Sequence, residues 1–187
     1  MVSFISFVAF ILLLTACGNN EVQPVNINEA TDTCELCNMA VANDQYATQI
    51  ALENGRSIVF DDVGCMFEWS SSNANEEIAA EFVRDYNDNE WILVDDATYV
   101  YNREVKTPMA YNIVSFKDQA SAEEFAATHE GSVLMTASDL ADHSWEQNHE
   151  MMQKHKMENH SHSHSGETVH HEQSEDEMHS EMDEQKH

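Results

Sequence analysis

Apolar and polar positions divide the chain into three blocks. Residues 2–14 (VSFISFVAFILLL) are almost wholly apolar. Between residues 32 and 142, apolar and polar positions alternate with the periods of strands and helices. From residue 143 onward strong apolar residues nearly vanish, and His, Glu, Met and Ser take over. In the central block, residues 46–52 alternate loosely and predict a strand. Glu53-Asn54-Gly55 is a turn signal, and residues 57–60 complete a hairpin. Asp61 and Asp62 can cap a helix that carries Val63, Met66, Phe67 and Trp69. Residues 70–75 read as loop and residues 76–82 as a short helix. Residues 91–94 and 98–101 are strand-like, and residues 110–116 (AYNIVSF) give the clearest strand of the second half. Residues 118–129 (DQASAEEFAATH) give the clearest helix, rich in Ala and Glu and ending at Gly131. Residues 132–134 form a last strand.

The two halves of this block echo each other. Ile58-Val59-Phe60-Asp61-Asp62 leads into one helix, and Ile113-Val114-Ser115-Phe116-Lys117-Asp118 leads into the other. The expected fold is therefore α+β, built from two β-β-α-β-like halves.

The flanking blocks read differently. At 13 residues the first apolar run is short for a membrane-spanning helix but has the length of a signal-peptide core. It ends in Leu14-Thr15-Ala16-Cys17-Gly18, which resembles the lipobox of a bacterial lipoprotein. That resemblance implies a signal peptide over residues 1–16, lipidation at Cys17, and a membrane anchored through acyl chains rather than spanned. Residues 17–31 then form a polar tether, residues 32–142 a globular domain, and residues 143–187 a disordered His/Met/Glu-rich tail too polar to offset its chain entropy.

Charge narrows the partners. With 35 acidic and 8 basic residues the formal net charge is −27. Nucleic acid and anionic headgroups want Lys and Arg, so neither is an expected surface partner. Nothing in the chain resembles a nucleophile–base pair, a phosphate loop or a dinucleotide fingerprint, so no enzymatic turnover is expected.

Candidate chemistry is concentrated in Cys34-Glu35-Leu36-Cys37-Asn38-Met39. A turn brings positions three apart together, and in extended chain positions two apart share a side. Cys34, Cys37 and Met39 can thus converge on one ion. Thiolate plus thioether is a soft donor set that suits Cu(I), whereas Mg(II), Ca(II) and Mn(II) prefer oxygen. Cys65 and Met109 supply further sulfur, with Cys65 open between packing and ligation and Met66 read as core. No histidine lies between Cys17 and His129, so the inner site is expected to be sulfur-only. Two other readings of the cysteine pair stand beside this one: a disulfide or redox pair, and zinc or iron–sulfur ligation, for which three remaining cysteines fall short of the usual four.

All 11 histidines lie at or after His129. His160, His162, His164, His170 and His171 are interspersed with Met151, Met152, Met157, Met178 and Met182, and 11 carboxylates fill the gaps between Glu146 and Glu184. Imidazole suits Cu(II), Ni(II) and Zn(II), and thioether suits Cu(I). The tail is therefore a candidate for gathering metal and passing it to the inner site. Its plain alternative is a solvated acidic segment.

Residues 34–69 resemble the nitrous oxide reductase accessory protein family NosL, whose members are membrane-anchored lipoproteins that bind Cu(I). The features that match are CxxCxM after the tether, Phe60-Asp61-Asp62 followed by Gly64-Cys65-Met66, the Asp85-Tyr86 to Trp91 stretch, and Pro108-Met109 ahead of a strand. The resemblance covers roughly residues 32–134. It implies an α+β fold of two β-β-α-β halves and delivery of copper to nitrous oxide reductase or to the machinery that serves it. It places Cys37 and Met39 on the family's motif, with Cys34 alongside and Met109 as a fourth sulfur. Asn38 stands where many relatives have Gly, and Asn also tolerates left-handed backbone. The expected protein is a Cu(I)-binding lipoprotein on the extracytoplasmic face of the membrane, serving a copper acceptor enzyme. A thiol–disulfide oxidoreductase and a copper storage or detoxification module are the rival functions.

Overall fold

A computed structural model describes residues 22–153. The expected signal peptide, the lipidation candidate Cys17 and the histidines from His155 on, including the five candidate ligands, lie outside the described residues. Seven strands and three α-helices follow in order: β1 (Thr48–Leu52), β2 (Ser57–Phe60), α1 (Val63–Ser72), β3 (Ile78–Arg84), β4 (Trp91–Leu93), β5 (Thr98–Tyr101), β6 (Ile113–Phe116), α2 (Gln119–Thr128), β7 (Val133–Met135) and α3 (Ala137–Ala141). A 3-10 turn at Val94–Asp96 joins β4 to β5.

The strands form two antiparallel sheets, ordered β2-β1-β3-β4 and β6-β5-β7. In each, the first strand of the half lies in the middle. Its hairpin partner takes one side and the strand after the helix takes the other. The architecture is α+β, and the repeat read from two strand-to-helix junctions is a repeat of topology. Gly55 turns the first hairpin at φ 84, a left-handed angle open to glycine without steric cost. β1 and β2 then pair from Thr48↔Phe60 to Ala51↔Ser57.

Both helices start as expected. Phe60 and Phe116 end their strands, and two residues later an Asp caps the helix. Asp62 accepts from the Gly64 amide and Asp118 from the Ser121 amide. The apolar face of α1 lies on β1 and β2, and α2 covers the second sheet. Most of the interior is one cluster that draws Ile50, Phe60, Met66, Tyr99, Ile113 and Leu140 from both halves. A smaller cluster of Val100, Val114, Phe116 and Ala122 lies beneath α2. Buried Asp85 joins the sheets, since its carboxylate accepts from the Asn87, Asp88 and Lys117 amides.

Two expectations are corrected. Residues 76–82 do not form a helix; β3 runs through them, paired with β1 on one side and β4 on the other. The Ala and Glu content favours helix locally, but Phe82 and Val83 are both buried, and two strand neighbours outweigh a weak propensity. The fold also continues past Asp142. Trp145 stacks on Phe67 with ring centroids 4.8 Å apart and meets Tyr111 edge-on, so residues 143–152 pack with the folded domain. The helix α3 went unread, although Thr136 and Asp139 form a reciprocal capping box.

Candidate metal centre

The CxxCxM segment is a closed loop. Thr33 and Ala40 bridge its ends, and inside it the Cys34 amide donates to the Met39 carbonyl at 2.8 Å. The Asn38 amide donates back to the Cys34 carbonyl at 2.9 Å. Asn38 sits at φ 60, the left-handed conformation that the substitution for glycine leaves accessible. The Glu35 amide donates to the Val59 carbonyl, which fastens the loop to β2.

This docking sets the loop's thiols against the β2–α1 junction. One donor atom each from Cys34, Cys37, Asp61 and Cys65 lie within 4.8 Å of one another. Cys34, Asp61 and Cys65 are buried and Cys37 is partly exposed. All three cysteines are free thiols. The Cys37 thiol donates to the Asp61 carboxylate, with its Sγ 3.4 and 3.3 Å from the two oxygens.

Four ionisable groups in so small a space cannot all carry charge. The Cys65 hydrogen bond holds the Cys34 thiol down to about 4, against burial that acts the other way. The same bond, with burial, pushes Cys65 strongly upward. Burial pushes Cys37 up to about 12 and Asp61 up to about 6. The cluster therefore concentrates negative charge on Cys34, keeps the Cys37 and Cys65 thiols protonated and makes ionisation of Asp61 costly, which is an environment that a soft cation would relieve.

The remaining sulfur candidates, Met39 and Met109, lie on the CxxCxM loop and on the β5–β6 loop. Met39 leaves the loop with 53 % of its surface exposed. Met109 lies partly buried on the β5–β6 loop, and Asp62 ties that loop to the head of α1. The Asp62 carboxylate accepts from the Met109 amide at 2.9 Å and the Thr107 hydroxyl at 2.7 Å, besides capping α1 through Gly64 at 3.1 Å. Burial pushes Asp62 up to about 6. Gly64 is required here, because a Cβ would sit 2.1 Å from Tyr111 Cγ on the β6-side end of the same loop. Met66 is fully buried in the core, as expected.

Sequence reasoning missed Asp61, which was read as one of two possible caps. Asp62 takes the cap, and Asp61 faces the thiols. The cluster is therefore not sulfur-only, since it contains one carboxylate. The signal available was that a helix needs only one cap, which left the second of two adjacent aspartates unassigned.

Fold and cluster together define an α+β protein of two ββαβ units, the first of which carries a site suited to a soft metal ion. The NosL family profile matches residues 24–145, and the chain belongs to that family. The crystal structure of the copper chaperone NosL from Shewanella denitrificans superposes with a TM-score of 0.53 at 18 % identity. The match covers 64 % of this chain and 94 % of that one, and it establishes the fold. No curated protein matches the chain.

Proposed function

We propose that this protein is a copper chaperone whose cargo is Cu(I), held by Cys34, Cys37, Met39 and Met109 with Cys65 as a further thiol, and handed to an extracytoplasmic copper enzyme or its assembly machinery, with nitrous oxide reductase as the first candidate. The observation that carries the reading is the convergence of three thiols from two separate segments within 4.8 Å, beside a loop whose Met39 is open to solvent. A buried thiolate offers affinity, and an exposed thioether offers an incoming protein a place to begin ligand exchange. Ligation by Cys37 releases its thiol proton, for which the Asp61 carboxylate is the adjacent acceptor. Family membership and the copper chaperone of the same fold support this assignment. Cys17 would anchor the protein to the outer face of the membrane, and the tail histidines His160, His162, His164, His170 and His171 would gather metal. Deleting residues 150–187 and counting bound copper tests that last point.

The rival oxidoreductase reading asks for a reactive thiolate within reach of a partner disulfide. Here the thiol held low, Cys34, is fully buried, and the accessible one, Cys37, is pushed the other way. The arrangement favours a ligand set over a redox pair.

Cu(I) titration against a chromophoric chelator tests the proposal. Cys37→Ser combined with Met39→Leu should weaken binding at least a hundredfold, and X-ray absorption of the copper-loaded protein should report sulfur neighbours. An unchanged affinity in the double variant, or nitrogen donors alone, would end the assignment.

A further inference from the structure

The three thiols of the centre are not equivalent. Cys34 and Cys65 are fully buried, stand 31 positions apart in the chain and share a hydrogen bond. Cys37 is partly exposed, and its thiol donates to the Asp61 carboxylate instead. All three are free, and the Cys34 and Cys65 sulfurs belong to a group of donor atoms no more than 4.8 Å apart.

Both sides of the buried pair are held. On the loop, the Cys34 amide and carbonyl are bonded to Met39 and Asn38, and the Glu35 amide fastens the segment to Val59 of β2 at 3.2 Å. On the other side, Cys65 lies in the first turn of α1, which Asp62 caps. A disulfide asks for a bond of ~2 Å between sulfurs whose backbones already stand close, and rotation of the two side chains is the motion available to close the gap. Pairing Cys34 with Cys37 would instead take the Cys37 donor away from a buried carboxylate, which carries a desolvation cost.

We infer that Cys34 and Cys65 form a reversible intramolecular disulfide in the metal-free protein, with a hydroperoxide as oxidant, and that this modification closes the centre to Cu(I) until it is reduced. The disulfide rests on geometry alone; its effect on loading rests on the Cu(I) reading above. With hydrogen peroxide, the Cys34 sulfur gives up its proton and takes one peroxide oxygen as a sulfenic acid, and the other oxygen leaves as water. The Cys65 sulfur then displaces the sulfenic hydroxyl, which departs with the Cys65 proton as a second water. Two electrons pass from sulfur to peroxide. A phosphine or dithiol returns both thiols and is itself oxidised. An oxidant as small as peroxide suits a pair buried from solvent, whereas a partner protein's disulfide does not. Bound Cu(I) takes the sulfur lone pairs that would attack peroxide, so cargo and disulfide exclude each other. On the outer face of the membrane, where thiols are not kept reduced, an empty centre is the form exposed to this reaction.

The test uses the full-length chain in detergent with Cys17→Ser, so that the only thiols are those of the centre. Metal-free and Cu(I)-loaded samples receive equimolar hydrogen peroxide, are alkylated and are mapped with trypsin without reduction. Arg56 separates Cys34 and Cys37 from Cys65, so the inferred bond joins two peptides, one of them residues 57–84, and a Cys34–Cys37 bond joins none. The metal-free protein should give the joined peptides, a Cys37→Ser variant should give them as well, and prior Cu(I) loading should suppress them at least tenfold. The oxidised protein should bind Cu(I) at least a hundredfold more weakly in a chelator titration, with recovery after phosphine treatment and desalting. A bond within the first peptide, sulfinic acid without a cross-link, or disulfide-linked dimers would overturn the inference and leave the proposed function standing. Joined peptides with unchanged Cu(I) affinity would overturn the closure of the centre. A reduced protein that takes no Cu(I) would remove the proposed function, while the peptide map still decides the disulfide.

Discussion

Replacing Asp61 by Asn should make the metal-free protein more stable at neutral pH, although it removes a group from the centre of the site. Burial raises the Asp61 carboxyl from an ordinary 3.8 to about 6. The folded state therefore holds this proton across a range where the unfolded chain has lost it. Asp61 contributes most to stability below about pH 4, and that contribution is lost as pH rises through 6. A shift of about two units corresponds to ~3 kcal/mol at pH 8. Asn keeps a carbonyl oxygen to accept from the Cys37 thiol and carries no charge to desolvate. Urea unfolding of wild type and Asp61→Asn should coincide near pH 4 and separate steadily above pH 5, with the variant ahead by up to ~3 kcal/mol at pH 8. Asp62 next to it carries a similar shift to which the Asp61 charge contributes, so the difference reads Asp61 together with the relief it gives its neighbours. A variant equal to or weaker than wild type at pH 8, with a difference that does not vary with pH, would refute the claim that Asp61 is held at a cost for the sake of the site.

Gly64→Ala should lose about 3 kcal/mol by thermal or urea unfolding, since the added Cβ would lie 2.1 Å from Tyr111 Cγ; a cycle with Tyr111→Ala should show the two changes to be strongly non-additive. At Asn38, φ 60 makes glycine acceptable and β-branched residues strained, so Asn38→Gly should leave stability within ~0.5 kcal/mol while Asn38→Val costs ~1–2 kcal/mol and weakens Cu(I) binding. Trp145→Ala removes the stack on Phe67 and should cost ~1–2 kcal/mol, read from denaturant midpoints, with exchange of the Ala110-bonded Asn148 amide accelerated.

What was legible in the sequence is what short spacing encodes. Cys34 and Cys37 lie three residues apart, and the turn that groups their thiols holds Asn38 in a left-handed conformation. The hairpin around Gly55 and the two Asp-capped helices are local in the same sense. Illegible parts depend on distant partners. Residues 76–82 carry helix-forming side chains, and only the presence of β1 and β4 on either side makes them a strand. Asp61 and Asp62 are identical in type and adjacent, and only the tertiary arrangement decides that one caps α1 while the other meets the thiols. Trp145 was a signal that composition averaging hid: one large aromatic in a polar stretch is an anchor, and it finds Phe67 and Tyr111.

Comparison of the halves shows how the site was assembled from a scaffold that does not require it. Each half ends its hairpin in Phe and caps its helix with Asp two residues later. Between them the first half has Asp61 and the second Lys117, which pairs outward with Asp88 and Glu90. Three residues past the cap the first half has Cys65, and the second has Ser121, whose hydroxyl merely returns to Asp118. Two side-chain differences therefore separate an ordinary capped junction from one wall of the candidate metal centre. The hairpin loops differ in the complementary way. Four residues, 53–56, join β1 to β2, whereas eleven, 102–112, join β5 to β6. The longer loop carries Met109 across to the first half, where Asp62 takes its amide. One carboxylate thus starts the helix that presents Cys65 and holds the loop that presents Met109. On the donor set proposed above, a cargo ion would draw ligands from both halves and would stabilise the joined state and no other.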